Sequence, residues 1–359
     1  MPGGQNASIM LGNRKLIVDE FCEVKEFTRD FQDGDFWSFA EHEICPGAVY
    51  IISRQQFAEN IVKIKQLAQD QIILPVLGNP AEGSETMFKQ AQGLGIVELV
   101  QQGKIIIISG GDLPQDLPHL FYENFLPKVL DYNENLQAIE RYKKSWSTDR
   151  PYKFLFLNGR GRRHRRQLLV SLQPLLDTAI WSNLDSAAGP IKLLDPVHEF
   201  EFYRHNLDID PLGFVKYSLF DNNWGEIYLN AQPYTDSYFS LVTETVFDFP
   251  HSFRTEKIWK PIAIGHPFVV ASNAGYYRDL HNLGFKTFGN LIDESFDSET
   301  DNAKRMAKLI HQIEWLCQQD LAKFVQESYN VCKYNQSLLA ELGPKIRAEF
   351  PQKLLNFIK

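Results

Sequence analysis

The sequence has only four cysteines, Cys22, Cys45, Cys317 and Cys332, and they lie far apart along its 359 residues. They form no Cys-x-x-Cys pair, so the pattern favours reduced thiols over a disulfide framework or a zinc site. No basic start followed by an apolar stretch marks the beginning of the chain, so no secretory signal is predicted. Together these absences predict a cytoplasmic protein.

Long apolar runs are also missing. The longest clear run, Ile105 to Ile108, is far shorter than the ~18 residues that a membrane helix needs. An excess of positive charge is missing as well: 45 acidic residues outnumber 37 basic ones, and the net charge of −8 argues against a general nucleic-acid-binding protein. An apolar content of 44% and a charged content of 23% are typical of a globular protein.

The chain instead contains two groups of alternating strand and helix patterns. Apolar segments of the first group are "GAVYIIS", "QIILPVLG" and "KIIIISGG", and those of the second are "YKFLFLN", "SYFSLVTET", "HPFVVAS" and "GFKTF". Segments with helical spacing separate most of them, among them "RQQFAENIVKIKQLAQ" and "RRQLLVSLQPLL". Continuous apolar strands between helices indicate α/β domains with parallel sheets covered on both faces.

The length of the chain predicts two domains. We expect a Rossmann-like N-terminal domain with an irregular leader over residues 1–145, a second Rossmann-like domain over 146–340 and a C-terminal helix over 341–359. The basic C-terminal segment could rest on an anionic membrane surface, but a helix that packs back onto the first domain is favoured. Ligands of open α/β sheets bind outside the carboxyl ends of the strands.

A first candidate site is the arginine cluster in "NGRGRRHRR", between a predicted strand and a predicted helix. The cluster comprises Arg160, Arg162, Arg163, Arg165 and Arg166. A helix N-terminus is already positive, so arginines there favour a bound anion, and the glycines at 159 and 161 let the backbone approach it. The segment lacks the P-loop pattern. A solvated basic loop and an RNA-binding patch are the alternatives.

A second candidate site is Thr255-Glu256-Lys257, which opens a predicted helix. A capped helix explains part of it, with Ser252 or Thr255 as N-cap and Glu256 in the first turn. A lysine in the first turn is unfavourable unless an anion such as a donor phosphate lies nearby. Glu256 could then accept hydrogen bonds from ribose hydroxyls. Pro261 predicts that the helix is short or bent.

The segment "TEKIWKPIAIGHPFVV" resembles the donor-binding segment of the α1,3-fucosyltransferases. That family has a Thr-Glu-Lys triplet, an aliphatic residue, Trp, a basic residue, a later Gly and a proline-led apolar strand. In the family a strand ending in Glu precedes this segment, matched here by Glu244, and an arginine-bearing loop lies further upstream. The spacing from Glu244 to Glu256 is longer here, and the proline of "KPIAIGHPF" departs from the pattern. The resemblance covers about residues 152–290 and implies a GT-B architecture, two Rossmann-like domains facing a cleft, with the nucleotide-sugar donor in the second.

The resemblance implies seven donor-binding residues: Arg160, Arg162, Arg163, Glu244, Arg254, Glu256 and Lys257. Lys257 and one of the arginines between 160 and 163 would hold the diphosphate, whose charge grows as it leaves. Glu256 would bind the ribose or the sugar, and Glu244 would contact the sugar or shape its pocket. An inverting transfer also needs a base, for which Glu82, Glu85 and Asp112 of the first domain are candidates, each also explained as a surface acid.

The leading hypothesis is an inverting glycosyltransferase that moves a sugar from a nucleotide-diphosphate donor such as GDP-fucose. The expected acceptor is a glycan, a lipid-linked sugar or a protein, with no nucleic-acid partner and at most peripheral membrane contact. No cofactor or metal is expected, because neither Asp-x-Asp spacing, Asp33 with Asp35 or Asp208 with Asp210, adjoins the cationic segments in sequence. The alternatives are a non-catalytic nucleotide- or nucleic-acid-binding protein with a transferase-like fold and an α/β phosphotransferase.

Overall fold

A computed structural model describes residues 9–18, 39, 43–79, 83–114, 116–159, 161–183, 185, 187, 208–209, 215–216 and 229–358. The strands are β1 (Ile9–Leu11), β2 (Arg14–Val18), β3 (Val49–Ile52), β4 (Leu74–Asn79), β5 (Ile106–Ser109), β6 (Leu120–Phe121), β7 (Tyr152–Asn158), β8 (Ala179–Asn183), β9 (Asp208–Ile209), β10 (Val215–Lys216), β11 (Ser237–Thr243) and β12 (Phe268–Ala271). The helices are α1 (Arg54–Glu59), α2 (Ile61–Gln69), α3 (Ser84–Gly93), α4 (Val97–Gln101), α5 (Phe125–Lys128), α6 (Asn133–Lys144), α7 (Arg163–Ser171), α8 (Ala231–Thr235), α9 (Glu256–Ile264), α10 (Tyr276–Asn282), α11 (Asn302–Leu316) and α12 (Leu321–Phe357).

The chain is an α/β protein of two compact units, as the strand and helix patterns predict. The division falls after Asn124, and the end of α12 from Pro344 onward belongs to the first unit. This point lies ahead of the boundary placed at residue 145 from the sequence, because α6 packs on α8 and α9 of the second unit.

The sheet of the first unit has the strand order β1-β2-β3-β4-β5-β6. The hairpin β1–β2 is antiparallel, and every later neighbour is parallel. Because each parallel strand joins the same side of its predecessor, right-handed crossovers place the connecting helices on one face. Successive residues of β3 show this arrangement: Tyr50 and Ile52 belong to the core formed with α1–α4, while Val49 and Ile51 belong to the core of the other face.

The end of α12 covers that other face. Phe350 and Leu354 are buried in its core, and the Phe350 ring lies edge to face against Tyr122 at 4.7 Å between centroids. The prediction that the C-terminal segment packs back onto the first domain is therefore confirmed. No helix within the described ranges is long and apolar enough to cross a bilayer.

The sheet of the second unit has the strand order β12-β11-β7-β8, and all four strands are parallel. The chain runs from β7 to β8 on one side and then returns to place β11 on the other side of β7. The direction of winding therefore reverses between β7 and β11, which creates a topological switch point of the kind where open α/β sheets bind ligands. The strands described in the first unit are wound in one direction and have no such reversal.

One strand prediction was wrong, and one strand was missed. "GFKTF" is not a strand, because the backbone of Lys286 pairs with the side-chain amide of Asn335 rather than with a neighbouring strand. Strand β8, with the sequence "AIWSN", was not predicted.

Candidate functional site

The switch point of the second sheet brings together the two segments singled out in the sequence. Strand β7 ends at Asn158 and leads into the arginine cluster, and β11 ends at Thr243, directly before Glu244. Their ends are joined by a hydrogen bond of 3.1 Å in which the Thr243 hydroxyl donates to the Asn158 side-chain oxygen. Both segments therefore belong to one site at the carboxyl edge of the sheet.

The start of α7 is tied to the end of β11 by two buried side chains. His164 Nε2 lies 2.9 Å from the carbonyl oxygen of Glu244, and its ring stacks on Phe247 at 5.2 Å. The Arg165 guanidinium donates to the carbonyl oxygens of Thr243 and Glu244 at 2.9 and 3.2 Å. These hydrogen bonds hold the N-terminus of α7, with Arg162 and Arg163, against the end of β11.

The environment of these two residues is strongly positive. Burial, followed by the charge of Arg165, lowers the pKa of His164 to about 3, so the imidazole is neutral at physiological pH and donates from Nε2. Burial and the charge of Arg162 lower the pKa of Arg165 to about 10, while Glu244 and Glu256 oppose this shift. Arg165 stays charged at neutral pH and lies close enough to both carboxylates to sense them.

The exposed arginines point outward from the same turn. Arg162 is the N-cap residue of α7 and Arg163 is its first residue, and both side chains are solvent-exposed. Arg166 is instead committed to Asp185, whose carboxylate accepts hydrogen bonds from its Nε at 2.5 Å and from a terminal nitrogen at 3.2 Å. Arg160 lies outside the described residues.

Gly161 makes room for this ion pair. A Cβ atom at position 161 would overlap the Asp185 carboxylate and approach Arg166 within 2.8 Å. By contrast, a Cβ atom at Gly159 would meet nothing within 4 Å. The close approach near Gly161 is thus made by a side chain of the protein, and open space remains beside Gly159.

Asn158 provides a further polar group at this point. Its side chain is buried, and its side-chain nitrogen has no hydrogen-bond partner among the residues that the structure describes. The amide borders the same small depression as Gly159, Gly161 and Arg165. A buried donor without a partner costs roughly 1–3 kcal/mol, which an acceptor atom of a ligand would offset.

Helix α9 begins with a cap that Glu244 completes. The Thr255 hydroxyl accepts a hydrogen bond from the Lys257 amide, which confirms Thr255 as the N-cap. The Glu244 carboxylate, fully buried, accepts from the Thr255 amide at 3.0 Å, from its hydroxyl at 2.7 Å and from the Tyr276 hydroxyl at 2.9 Å. Burial raises the pKa of Glu244, and the charge of Lys257 and these hydrogen bonds oppose the rise. The carboxylate thus holds the start of α9 in place.

Glu256 and Lys257 form an ion pair across the first turn of α9. Lys257 Nζ lies 2.5 Å from a carboxylate oxygen of Glu256 and 3.2 Å from the Thr255 hydroxyl. Burial acts to raise the pKa of Glu256, but the charge and hydrogen bond of Lys257, with the charge of Lys260, lower it overall. The lysine in the first turn is therefore neutralised by its neighbour, and 26% of its side chain remains accessible to a ligand.

Helix α9 ends soon after its proline, as predicted. Pro261 lies in the sixth position, and the helix stops at Ile264. Gly265 then takes a left-handed φ of +81° and leads into β12. Trp259, which belongs to the resemblance motif, is fully buried and packs against Phe285. Its role in this structure is to anchor α9 to the core.

The other candidates lie elsewhere or outside the described residues. Arg254, directly before the cap, is buried in the second unit. Asp112 follows β5 in the first unit, Glu85 pairs with Lys89 in α3, and Glu82 is not described. Of the Asp-x-Asp residues, only Asp208 is described, in β9. Among the described residues, no group of three or more His, Cys, Asp or Glu side chains could hold a metal ion.

Comparison of the chain with models of protein families, with curated proteins and with solved structures gives no match. The site must therefore be interpreted from its own geometry. At this switch point the end of β7 provides a buried amide donor and the loop after it provides exposed arginines, while the start of α9, tied to the end of β11 through Glu244, provides a lysine. Such a set of donors and cations suits an anion with several oxygen atoms.

The sequence alone did not reveal the structural roles of His164, Arg165 and Asn158. A signal for Arg165 existed, since positions 165, 168, 169 and 172 have the spacing of one helix face and the last three are leucines. This periodicity indicates that Arg165 points inward while Arg162 and Arg163 face solvent. The position of Asn158 depends on the strand order and had no sequence signal.

Proposed function

We propose that the second unit binds a nucleotide-diphosphate sugar at its switch point and that the protein is an inverting glycosyltransferase of the GT-B type. The observation that supports this most strongly is that β7 and β11 end side by side, so that the arginine cluster after β7 and the Thr255–Lys257 segment, which is tied to the end of β11 through Glu244, lie at one edge of the sheet. Two segments nearly 100 residues apart in sequence supply positive charge and a buried donor to one place. A phosphate chain offers the matching charge and acceptor oxygens.

In this proposal Lys257 and the exposed arginines hold the diphosphate. As the bond to the sugar breaks, negative charge grows on the leaving oxygens, and cations already in place stabilise it without reorganisation. No metal ion is needed for this step in the proposal, because the side chains supply the charge. Arg162, Arg163 and Lys257 are the described candidates for binding the diphosphate, and Arg160 is the remaining one.

Glu256 would exchange partners when the donor binds. In the structure its carboxylate neutralises Lys257, so a phosphate that recruits the lysine leaves the carboxylate to accept hydrogen bonds from ribose or sugar hydroxyls. Glu244 accepts hydrogen bonds from Thr255 and Tyr276 and so holds both side chains in position. We therefore propose that Glu244 shapes the pocket for the sugar. The donor sugar, with fucose as the first choice, follows from the resemblance of the Thr-Glu-Lys segment to α1,3-fucosyltransferases.

The test is a thermal-shift screen of the full chain against GDP, UDP, dTDP, ADP and CMP, with a short RNA oligonucleotide as the competing ligand. We expect one nucleoside diphosphate to raise the melting temperature in a concentration-dependent way. The corresponding nucleotide sugar should then lose its sugar slowly to water or to an added glycan. Stabilisation by the oligonucleotide and by none of the nucleotides would favour the nucleic-acid-binding alternative and overturn the proposal.

A further inference from the structure

A second cavity lies at the opposite edge of the same sheet. It has a volume of about 360 Å³ and lies where the ends of α6 and α9 meet α12. Trp146 in its wall precedes β7, and Gly265 in its floor precedes β12, so it opens at the amino ends of the strands. It is separate from the candidate donor site, which lies at the carboxyl ends. Its volume falls in the range of small-molecule sites, roughly 300–1,000 Å³.

One wall of the cavity is aromatic. The rings of Trp146 and Tyr329 lie 5.3 Å apart at an angle of 70°, in an edge-to-face arrangement. Tyr329 is 41% exposed and Trp146 is partly exposed, so water reaches both rings. Because the two rings are far from parallel, they offer an open face and not the slot that a flat aromatic ligand fills. An open face of this kind suits the apolar side of a sugar ring.

Tyr329 and three polar side chains of the cavity come from one stripe of α12. Gln326, Tyr329, Lys333 and Gln336 have the spacing i, i+3, i+7 and i+10, which places them along one side of the helix. Gln336 is anchored by a hydrogen bond of 2.9 Å to the carbonyl of Ala263, and it fits beneath α9 only because residue 265 is a glycine. Amides and hydroxyls around an aromatic face are the groups that recognise several ring hydroxyls at once.

The rim of the cavity is positively charged. Lys143 and Lys333 line it, and Lys143 donates a hydrogen bond of 2.6 Å to the Glu140 carboxylate. The hydrogen bond and charge of Lys143, with the charges of Lys144 and Lys333, lower the pKa of Glu140. Three lysines thus surround one glutamate, on a chain whose net charge is −8. This local excess favours a ligand that carries a negative charge.

The floor contains a thiol that is not poised to react. Cys332 is buried, and burial raises the pKa of its thiol to about 12. Since the thiolate is the nucleophilic form, Cys332 stays protonated and unreactive at neutral pH. The cavity is therefore suited to binding a ligand without forming a covalent bond to it.

We propose that this cavity binds an acidic sugar, a pyranose ring that carries a carboxylate. The apolar face of the ring would lie on Trp146, its hydroxyls would meet Gln326 and Gln336, and its carboxylate would pair with Lys143 and Lys333. The proposal does not depend on the function assigned to the donor site, because the two sites lie at opposite edges of the sheet and share no residue. A variant that loses binding at one site can therefore still be tested for binding at the other.

The test is calorimetric titration of the full chain with D-glucuronate, with D-glucose as the neutral analogue and benzoate as the flat carboxylate. We expect glucuronate to bind at least roughly tenfold more tightly than glucose, since one extra charge-assisted hydrogen bond is worth about that factor. It should also bind more tightly than benzoate, which has the carboxylate but no hydroxyls for Gln326 and Gln336. Trp146→Ala and Lys333→Gln should each weaken glucuronate binding by roughly tenfold or more. Trp315→Ala and Lys323→Gln, at exposed positions of the same types outside the cavity, should leave it unchanged.

Three results would overturn the proposal. Absence of glucuronate binding would remove it outright. Tighter binding of benzoate than of glucuronate would show a site for aromatic acids. Glucuronate binding that survives both Trp146→Ala and Lys333→Gln would place the ligand elsewhere on the chain. Both substitutions replace solvent-accessible side chains, and circular dichroism melting curves will show whether the variants remain folded.

Discussion

Lys257 has two partners in the proposed function, a phosphate when the donor is bound and Glu256 when it is not. Replacing Lys257 with methionine keeps the apolar stem of the side chain and removes the ammonium group with its charge and its hydrogen bonds. A charge-assisted hydrogen bond to phosphate is worth roughly 1.5–3 kcal/mol, so we expect Lys257→Met to weaken nucleotide binding roughly 10- to 150-fold.

The same substitution should also destabilise the fold. Glu256 is 6% exposed, and without Lys257 its carboxylate loses its side-chain hydrogen bond and keeps only the charges of Lys260 and Arg165 nearby. Breaking a fully buried pair costs roughly 3–5 kcal/mol. Because the Lys257 side chain is 26% exposed, we expect a smaller loss, roughly 1–3 kcal/mol, or a drop of about 2–10 °C in melting temperature.

A double variant separates the two effects. Glu256→Gln combined with Lys257→Met removes the unpaired carboxylate, so the melting temperature should recover most of its loss while nucleotide affinity stays low. The assay is calorimetric titration with the best nucleotide from the screen and with inorganic pyrophosphate, alongside melting curves. Lys308→Met is the matched control, because Lys308 also pairs with a glutamate, Glu299 at 3.2 Å, away from the site. Wild-type pyrophosphate affinity in Lys257→Met, or recovered affinity in the double variant, would refute the phosphate interaction.

Three further predictions concern pH, the arginine cluster and metal. The pKa of His164 is about 3 in the folded state against about 6.5 unfolded, so the unfolded chain binds the proton first as pH falls and stability is lost below about pH 6.5. Between pH 7 and pH 5 this residue should lower the free energy of unfolding by about 2 kcal/mol. Urea denaturation should therefore show that His164→Phe loses less stability than the wild type over that interval. An equal loss in both proteins would mean that His164 titrates normally. Replacing Arg160 and Arg163 with glutamine should lower nucleotide affinity, by roughly tenfold for each arginine that binds phosphate. The melting temperature should stay unchanged, since Arg163 is exposed. An unchanged titration curve would assign the cluster to another partner. Sugar transfer, once a donor is found, should persist in EDTA, whereas a loss of activity that Mg²⁺ or Mn²⁺ reverses would require a metal at the diphosphate.

The sequence by itself determined the class of the fold and most of its elements. Continuous apolar strands between amphipathic helices can be buried only in a sheet with helices against it, and that is the arrangement of both units. The start of α9 was also readable, because a threonine followed by an acidic residue is a local cap signal that needs no distant partner. The end of α12 was correctly expected to return to the first unit, since its apolar positions need a surface to cover.

Only the tertiary structure decided how the candidate site is assembled. Strand order is set by long-range packing, so no local pattern shows that β7 and β11 are neighbours or that the winding reverses between them. That reversal joins the arginine cluster to Glu244, gives the inward-facing Arg165 its partners at Thr243 and Glu244, and leaves the Asn158 amide buried without a partner among the described residues. The role of Glu244 was likewise invisible, because its partners Thr255 and Tyr276 are 11 and 32 residues away along the chain. Interactions over such separations depend on the folded sheet, and local sequence preferences do not encode them.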